Sequence, residues 1–205
     1  MSVDEERPVW VLASGNPHKL SEIAALLAAT PIELVPLPAG VVLPPEDGAT
    51  LLANARIKAR AAAAATGQIA LSDDTGLEVD ALGGEPGVFT ARYAGEDATF
   101  DDNNRLLLQN LDGIHGVNRR ARFRCVFVLA SPEGKEVSAE GRLEGFIATA
   151  ARGAHGFGYD PLFVPEGTER TLAELSAEEK NGLSHRGRAA AGLVESLHKL
   201  GRWTP

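Results

Sequence analysis

Residues 71–95 read LSDDTGLEVDALGGEPGVFTARYAG, and the parsing of this run decides the fold. An apolar stretch, Ile69 to Leu71, precedes two adjacent carboxylates, Asp73 and Asp74, and Thr75-Gly76 follows. The pattern predicts a short strand that stops at the carboxylate pair and enters a Thr-Gly turn. Side-by-side carboxylates repel when withdrawn from water, so a shared cation would explain them. Hard oxygen ligands at such a turn favour Mg²⁺, which keeps waters and is often completed by substrate phosphates. A solvated Asp-rich turn is the other reading, because aspartate favours turns by bonding its own backbone. The run alone leaves both open.

Outward from this run, the elements alternate. Val9 to Ala13 predicts a strand buried on both faces. Asn16 suits the N-cap and Pro17 the first position of a helix over 17–29. A second strand is expected at 32–35, then a loop with Pro36, Pro38, Pro44 and Pro45. Thr50 caps a second helix that runs to Thr66 and stops at Gly67, and the alanines at 61–65 are strong helix formers. A third helix starts near Thr99, with Phe100, Leu107, Leu108 and Leu111 on its inner face. Ala121, Phe123, Cys125, Phe127 and Leu129 alternate with Arg122, Arg124, Val126 and Val128. Ser131-Pro132-Glu133-Gly134 reads as a type I turn, and 135–147 returns as the second arm of a hairpin. Arg122 and Arg124 read as solvated strand residues. The last helix spans Ser184 to Leu200, with Ala190, Leu193, Val194, Leu197 and Leu200 inward. Early alternation and a late hairpin argue for an α/β fold with a mixed sheet.

The chain has 205 residues, 44% of them hydrophobic and 23% charged, which suits one globular domain, in one or two lobes. A net charge of −8 argues against a nucleic-acid polymer as partner, while leaving room for a small anionic ligand at local cations. The single cysteine, Cys125, excludes an intramolecular disulfide and fits a reducing cytoplasm. The histidines show no HxxxH pair, so zinc has no support. MSVDEERPVW lacks an apolar leader, and no apolar run reaches membrane-spanning length. A soluble, cytoplasmic protein is expected.

Four further islands carry polar chemistry. Ser14-Gly15-Asn16-Pro17-His18-Lys19 lies between a strand and a helix N-terminus, where free N–H groups and Lys19 favour an anion. It lacks Walker A spacing, and an ordinary capped turn with a surface lysine is the alternative. Glu46 precedes the second helix, on which Asn54 and Lys58 share a face. Together they could bracket a metal–phosphate unit, or Lys58 could be solvated. In His155-Gly156-Phe157-Gly158-Tyr159-Asp160-Pro161, glycines leave Phe157 open to a stacking base. A core phenylalanine beside a turn would look the same. Glu179-Lys180-Asn181 and Ser184-His185-Arg186 supply donors, which suit a ring oxygen better than a ring amine.

Taken together, SGNPHK (14–19), EDGATLLANARIKA (46–59), SDDTGLEVDALGGEPGVFTARYAG (72–95), GFGYDPLF (156–163) and EKNGLSHRGRA (179–189) resemble the Ham1-like inosine triphosphate pyrophosphatases. The motifs span nearly the whole chain in the family's order. The resemblance implies an elongated α/β fold, a mixed sheet flanked by helices in two lobes around a central active-site cleft. It implies a single two-lobed domain over 1–205, usually a homodimer. The implied reaction is Mg²⁺-dependent hydrolysis of ITP, dITP, XTP and dXTP to the monophosphate and pyrophosphate.

Carried over residue by residue, Ser14, Gly15, Asn16, Pro17, His18 and Lys19 would cradle the triphosphate, and Lys58 would add a phosphate contact. Glu46 and Asp74 would hold Mg²⁺, and Asp74 would orient and deprotonate the attacking water, with Asp73 supporting it. Thr75 stands where a serine is common. Phe157 would stack on the base within the Gly158-Tyr159 loop, while Asp160, Lys180, His185 and Arg186 would read its edge. A donor-lined pocket satisfies a 6-oxo group and meets adenine's 6-amino group with another donor, a mismatch worth about 1–3 kcal/mol. Ala53 departs from the family's usual glutamate. With Thr50 as N-cap that glutamate would complete a capping box, and it could equally be an outer partner of the metal. Rival classes are a nucleotide-binding sensor without hydrolysis, a Maf-like pyrophosphatase of other modified nucleotides, and a structural dimerisation module. The last leaves the polar islands unexplained.

Overall fold

The apolar run near the start of the chain forms β1, Val9–Leu12, whose last three residues are buried. A strand covered on both faces is necessarily a continuous apolar run, as in parallel sheets. In this computed structural model, which describes residues 7–200, β1 lies between two parallel neighbours. On one side is β2, Glu33–Pro36, with Val9 opposite Glu33; on the other is β3, Ile69–Val79, with Trp10 opposite Ile69. The acidic start without an apolar leader lies largely outside the described residues, as do the last residues of the 1–205 span.

The helices between these strands begin where their caps dictate. Asn16 accepts the His18 N–H at 2.9 Å and opens α1, Pro17–Leu27, which ends two residues earlier than periodicity predicts. Thr50 accepts the Ala53 N–H at 3.1 Å and opens α2, Leu51–Thr66. Gly67 ends α2 in the left-handed region, φ 65°, which a glycine adopts without steric cost. Ala55, Ala59, Ala62 and Ala63 are buried at helical spacing, so α2 packs through small side chains on a narrow stripe.

The largest correction concerns β3. The expected Thr-Gly turn after the carboxylates does not exist: β3 runs on for 11 residues, through Asp73, Asp74, Thr75 and Gly76. Beyond them it pairs antiparallel with β4, Pro86–Gly87, with Leu77 opposite Gly87. Local turn propensity is overridden because strand pairing satisfies the backbone, and cations elsewhere in the chain neutralise the side chains.

After α3, Phe100–Asn110, come β5, Arg120–Ala130, and β6, Glu136–Ile147, then β7, Phe163–Pro165. The hairpin turn is as expected, with the Gly134 N–H on the Ser131 carbonyl at 2.9 Å. The mixed sheet runs in the order β2-β1-β3-β5-β6-β7, with β4 beside β3. The chain ends in two helices, α4, Ala177–Leu183, and α5, His185–Lys199. The sequence reading missed α4, although Ser176 and Glu179 form a capping box that marks its start. Leu200 lies past the end of α5 and is exposed, and Val194 is half-buried. Among the described residues, no helix is long and apolar enough to cross a membrane.

The chain divides into two compact units. The first comprises residues 1–74, 126–140 and 189–205, and its buried side chains include Trp10, Leu12, Ile23, Phe127 and Leu193. The second comprises 75–125 and 141–188, with one apolar cluster that includes Leu77, Leu107, Leu111, Phe123 and Phe163. Cys125 is buried, as read. Phe100 is a correction: it is 42% exposed rather than inward. Arg122 and Arg124 are also corrected. They are half-buried and paired, Arg124 with Glu78 at 2.8 Å and Arg122 with Asp80 and Glu144, because carboxylates on the neighbouring strands and just past the end of β3 face them.

Candidate active site

Among the described residues, each unit holds a cluster of buried polar side chains built from the sequence's polar islands. In the first unit it is centred on the carboxylate pair of β3. Adjacent strand residues point to opposite faces, and the two aspartates find different partners accordingly. Asp73, fully buried, pairs with Lys19 Nζ at 3.0 Å. Asp74 Oδ1 accepts from Lys58 Nζ at 3.1 Å. The same ammonium donates to the Asp73 carbonyl at 2.8 Å and pairs with Glu46 Oε1 at 2.9 Å. All three donors of Lys58 are thereby committed. Lys58 is not solvated.

The electrostatics follow from the count: two lysines face three carboxylates, a net charge of −1 in a largely buried site. Burial works against the Lys58 ammonium, but Asp74, Asp73 and Glu46 outweigh it and hold its pKa above the ordinary lysine value. Burial raises the pKa of Asp74, and Glu46 adds to the rise against the opposing pull of Lys58 and Lys19. Three carboxylates sharing two ammoniums leave a shortfall, and it falls on Asp74. Its Oδ2 is buried and has no hydrogen-bond partner.

An unpartnered carboxylate oxygen and an excess of negative charge fit a divalent cation. Among the described residues no group of three or more His, Cys, Asp or Glu side chains would enclose a metal alone. Carboxylate oxygens of this kind suit a hard divalent cation, which one or two carboxylates can hold with water and phosphate completing the shell. Glu46 is carried by a loop pinned to α2, where the buried Asn54 Oδ1 accepts the Gly48 N–H at 2.8 Å. A Cβ on Gly48 would lie 2.6 Å from that oxygen, so only glycine lets the loop approach.

Ser14, Gly15, Asn16, Pro17, His18 and Lys19 form the β1–α1 turn and its first helical residues, as read. Ser14 Oγ accepts the Asn16 N–H at 3.2 Å, and Asn16 Oδ1 serves as the cap. Ala53 stands at the third helical position, facing Thr50, which is where a glutamate would close a capping box.

The second unit's cluster surrounds Phe157. The ring is half-buried, with Lys180 Nζ 5.2 Å and Arg186 Cζ 5.5 Å from its centre, so Phe157 is not a core residue. Gly156 and Gly158 adopt left-handed conformations, φ 75° and 65°, on either side of it. Asp160 Oδ2 accepts the Phe157 N–H at 2.8 Å and pairs with Lys180 at 2.7 Å. A Cβ on Gly156 would sit 2.0 Å from that oxygen. These bonds tie Asp160 to the loop and to Lys180. Arg186 donates to Thr75 Oγ1 at 3.2 Å, and the His185 ring stacks on Phe123 with centres 4.6 Å apart. Ser184 caps the start of α5 by accepting the Gly187 N–H at 3.0 Å.

Tyr159 is buried, and its hydroxyl donates to the Thr90 carbonyl at 3.1 Å, so its side chain anchors the loop. Burial pushes its pKa well up. Asn104, which no sequence signal marks, donates to the Gly158 carbonyl at 3.0 Å and ties α3 to the same loop.

A mixed α/β sheet carrying a lysine–carboxylate cluster and an aromatic ring flanked by cations defines a phosphate- and base-handling class of protein. The chain belongs to the Ham1 family, whose model matches residues 10–196. It is 50% identical over 193 residues to a dITP/XTP pyrophosphatase of Methylococcus capsulatus, covering 93% of this chain and 96% of that one. A dITP/XTP pyrophosphatase of Elusimicrobium minutum is 51% identical over 193 residues, 91% and 98% of the two chains. Among solved structures, a HAM1 protein from Coxiella burnetii superposes with a TM-score of 0.84 at 42% identity, covering 94% of this chain and 99% of that one.

Proposed function

We infer that this chain is a metal-dependent pyrophosphatase of deaminated purine nucleoside triphosphates. It hydrolyses ITP, dITP, XTP and dXTP to the monophosphate and pyrophosphate, removing them from the nucleotide pool. The observation that carries the reading is the Lys19–Asp73 and Lys58–Glu46–Asp74 cluster, with Asp74 Oδ2 lacking a partner. Its match to the family's pyrophosphatases over nearly the whole chain supports the substrate class.

The family's activity is metal-dependent in general, and the cation assigned here is Mg²⁺. Glu46 and Asp74 would hold it, and it would supply positive charge to phosphate oxygens in the transition state. Lys19 and the N–H groups at the start of α1 bind the triphosphate, and Lys58 would add a further phosphate contact. Asp74 orients a water and accepts its proton, and burial makes its carboxylate a stronger base than an exposed one. Asp73 holds Lys19 in place. Phe157 stacks on the base, while Lys180 and Arg186 donate to the 6-oxo group, for which adenine offers no acceptor. Asp160 and His185 are proposed to read the base edge beside them, with Asp160 paired to Lys180 and the His185 ring stacked on Phe123.

The two units are proposed to act as one two-lobed domain over 1–205, in a homodimer, as the family resemblance suggests. A cytoplasmic setting is proposed with them, supported by the lone buried Cys125. Pyrophosphate release from ITP, XTP, dITP, GTP, ATP, UTP and dUTP, with and without Mg²⁺, tests the reading. Turnover confined to ITP, XTP and their deoxy forms is expected. Tight binding of ITP without turnover would identify a sensor, and preference for UTP or dUTP would overturn the purine assignment. Sedimentation velocity tests the dimer.

A further inference from the structure

Phe100 opens α3 and stands 42% exposed, although helical spacing puts it on the face of Leu107 and Leu111. Its ring lies 6.0 Å from that of Phe157, with the planes tilted by 39°. That separation is within the range where aromatic pairs attract. Among the described residues, neither ring belongs to the apolar core cluster of the second unit. One helical turn beyond Phe100, Asn104 Nδ2 donates to the Gly158 carbonyl at 3.0 Å. That bond also settles the orientation of the amide, since a carbonyl would repel Oδ1. Asn104 Oδ1 is buried and has no hydrogen-bond partner, so the amide acts through its donor.

We propose that Phe100 is a second base-contacting ring and that Asn104 is the positioning residue that holds the Phe157–Gly158 loop beside it. The inference rests on the reading that Phe157 stacks on the purine. A purine bicycle is larger than one phenyl ring, so a base stacked on Phe157 overhangs its edge. A neighbouring ring at 6.0 Å and a moderate tilt takes up part of that overhang. Covering an exposed phenyl ring with a base also releases ordered water from both surfaces.

Steady-state kinetics with ITP and Mg²⁺ test this on the full chain. Phe100→Ala should raise KM by about 2- to 12-fold and leave kcat within about twofold, as an aromatic contact made equally in ground and transition states would. Phe100→Trp should restore KM. Inhibition by inorganic tripolyphosphate, which has no base, should be unchanged. In a Phe157→Ala background the Phe100→Ala effect should shrink, because the contacts are coupled. Asn104→Leu should raise KM in the same direction.

An unchanged KM in Phe100→Ala, beside a raised KM in Phe157→Ala, overturns the second ring and spares the stacking by Phe157. Unchanged KM in both overturns the base-site reading together with the inference. Altered tripolyphosphate inhibition in Phe100→Ala would show a general disturbance and also overturns it. An unchanged KM in Asn104→Leu removes the positioning role.

Discussion

The cluster around Asp74 and the cluster around Phe157 are built from similar side chains with opposite balance. At Asp74, two lysines face three carboxylates, which leaves negative charge and an unpartnered oxygen. At Phe157, Lys180 and Arg186 flank an aromatic ring, and Asp160 is the carboxylate paired with Lys180. On the proposed reading, the first balance would hold a divalent cation beside the phosphates. The second presents donors around an apolar face and suits an uncharged base with an oxo group. On that proposed reading, chemistry belongs to one unit and choice of substrate to the other, so kcat effects should gather in the first and KM effects in the second.

The largest expected effect tests the chemistry side. Asp74→Asn should lower kcat by about 10²–10⁴-fold, the range for loss of a general base, with an unchanged circular dichroism spectrum. Retained turnover would remove Asp74 as proton acceptor. Next comes Lys58→Met, which leaves Asp74 and Glu46 buried without their shared cation. Breaking a buried pair in this way is expected to cost about 3–5 kcal/mol in denaturant unfolding. A variant as stable as the parent would mean that water reaches the cluster freely.

On the choice side, Phe157→Ala should raise KM for ITP by one to two orders of magnitude, from stacking worth about 1–3 kcal/mol, with kcat nearly unchanged. A fall in kcat with constant KM would erase the division between the clusters. The smallest effect concerns the helix that carries Lys58. Ala53→Glu should complete a capping box with Thr50 and stabilise the fold by about 0.3–1 kcal/mol, leaving the Mg²⁺ requirement unchanged. A lowered Mg²⁺ requirement would instead show that residue 53 acts on the metal.

Much of this was legible in the chain because its signals are local. Asn16, Thr50 and Gly67 announce the helix ends, and the caps form as expected. The Ser131–Gly134 turn and the apolar alternation of β5 needed no tertiary help. Ser176 and Glu179 announce α4 just as plainly through their capping box. Other features carry no local signal. The inward turn of Tyr159, the pairing of Arg122 and the exposure of Phe100 depend on residues far away in sequence.

The β3 run shows where the boundary lies. Its sequence alone determined that two carboxylates sit together beside an apolar strand, and the family resemblance implied that lysines and a glutamate elsewhere share their chemistry. Only the tertiary structure decided that the strand continues through them and sends Asp73 to Lys19 and Asp74 to Lys58. Whether a charge is buried depends on the free energy of its partners in space, which spacing along the chain does not encode.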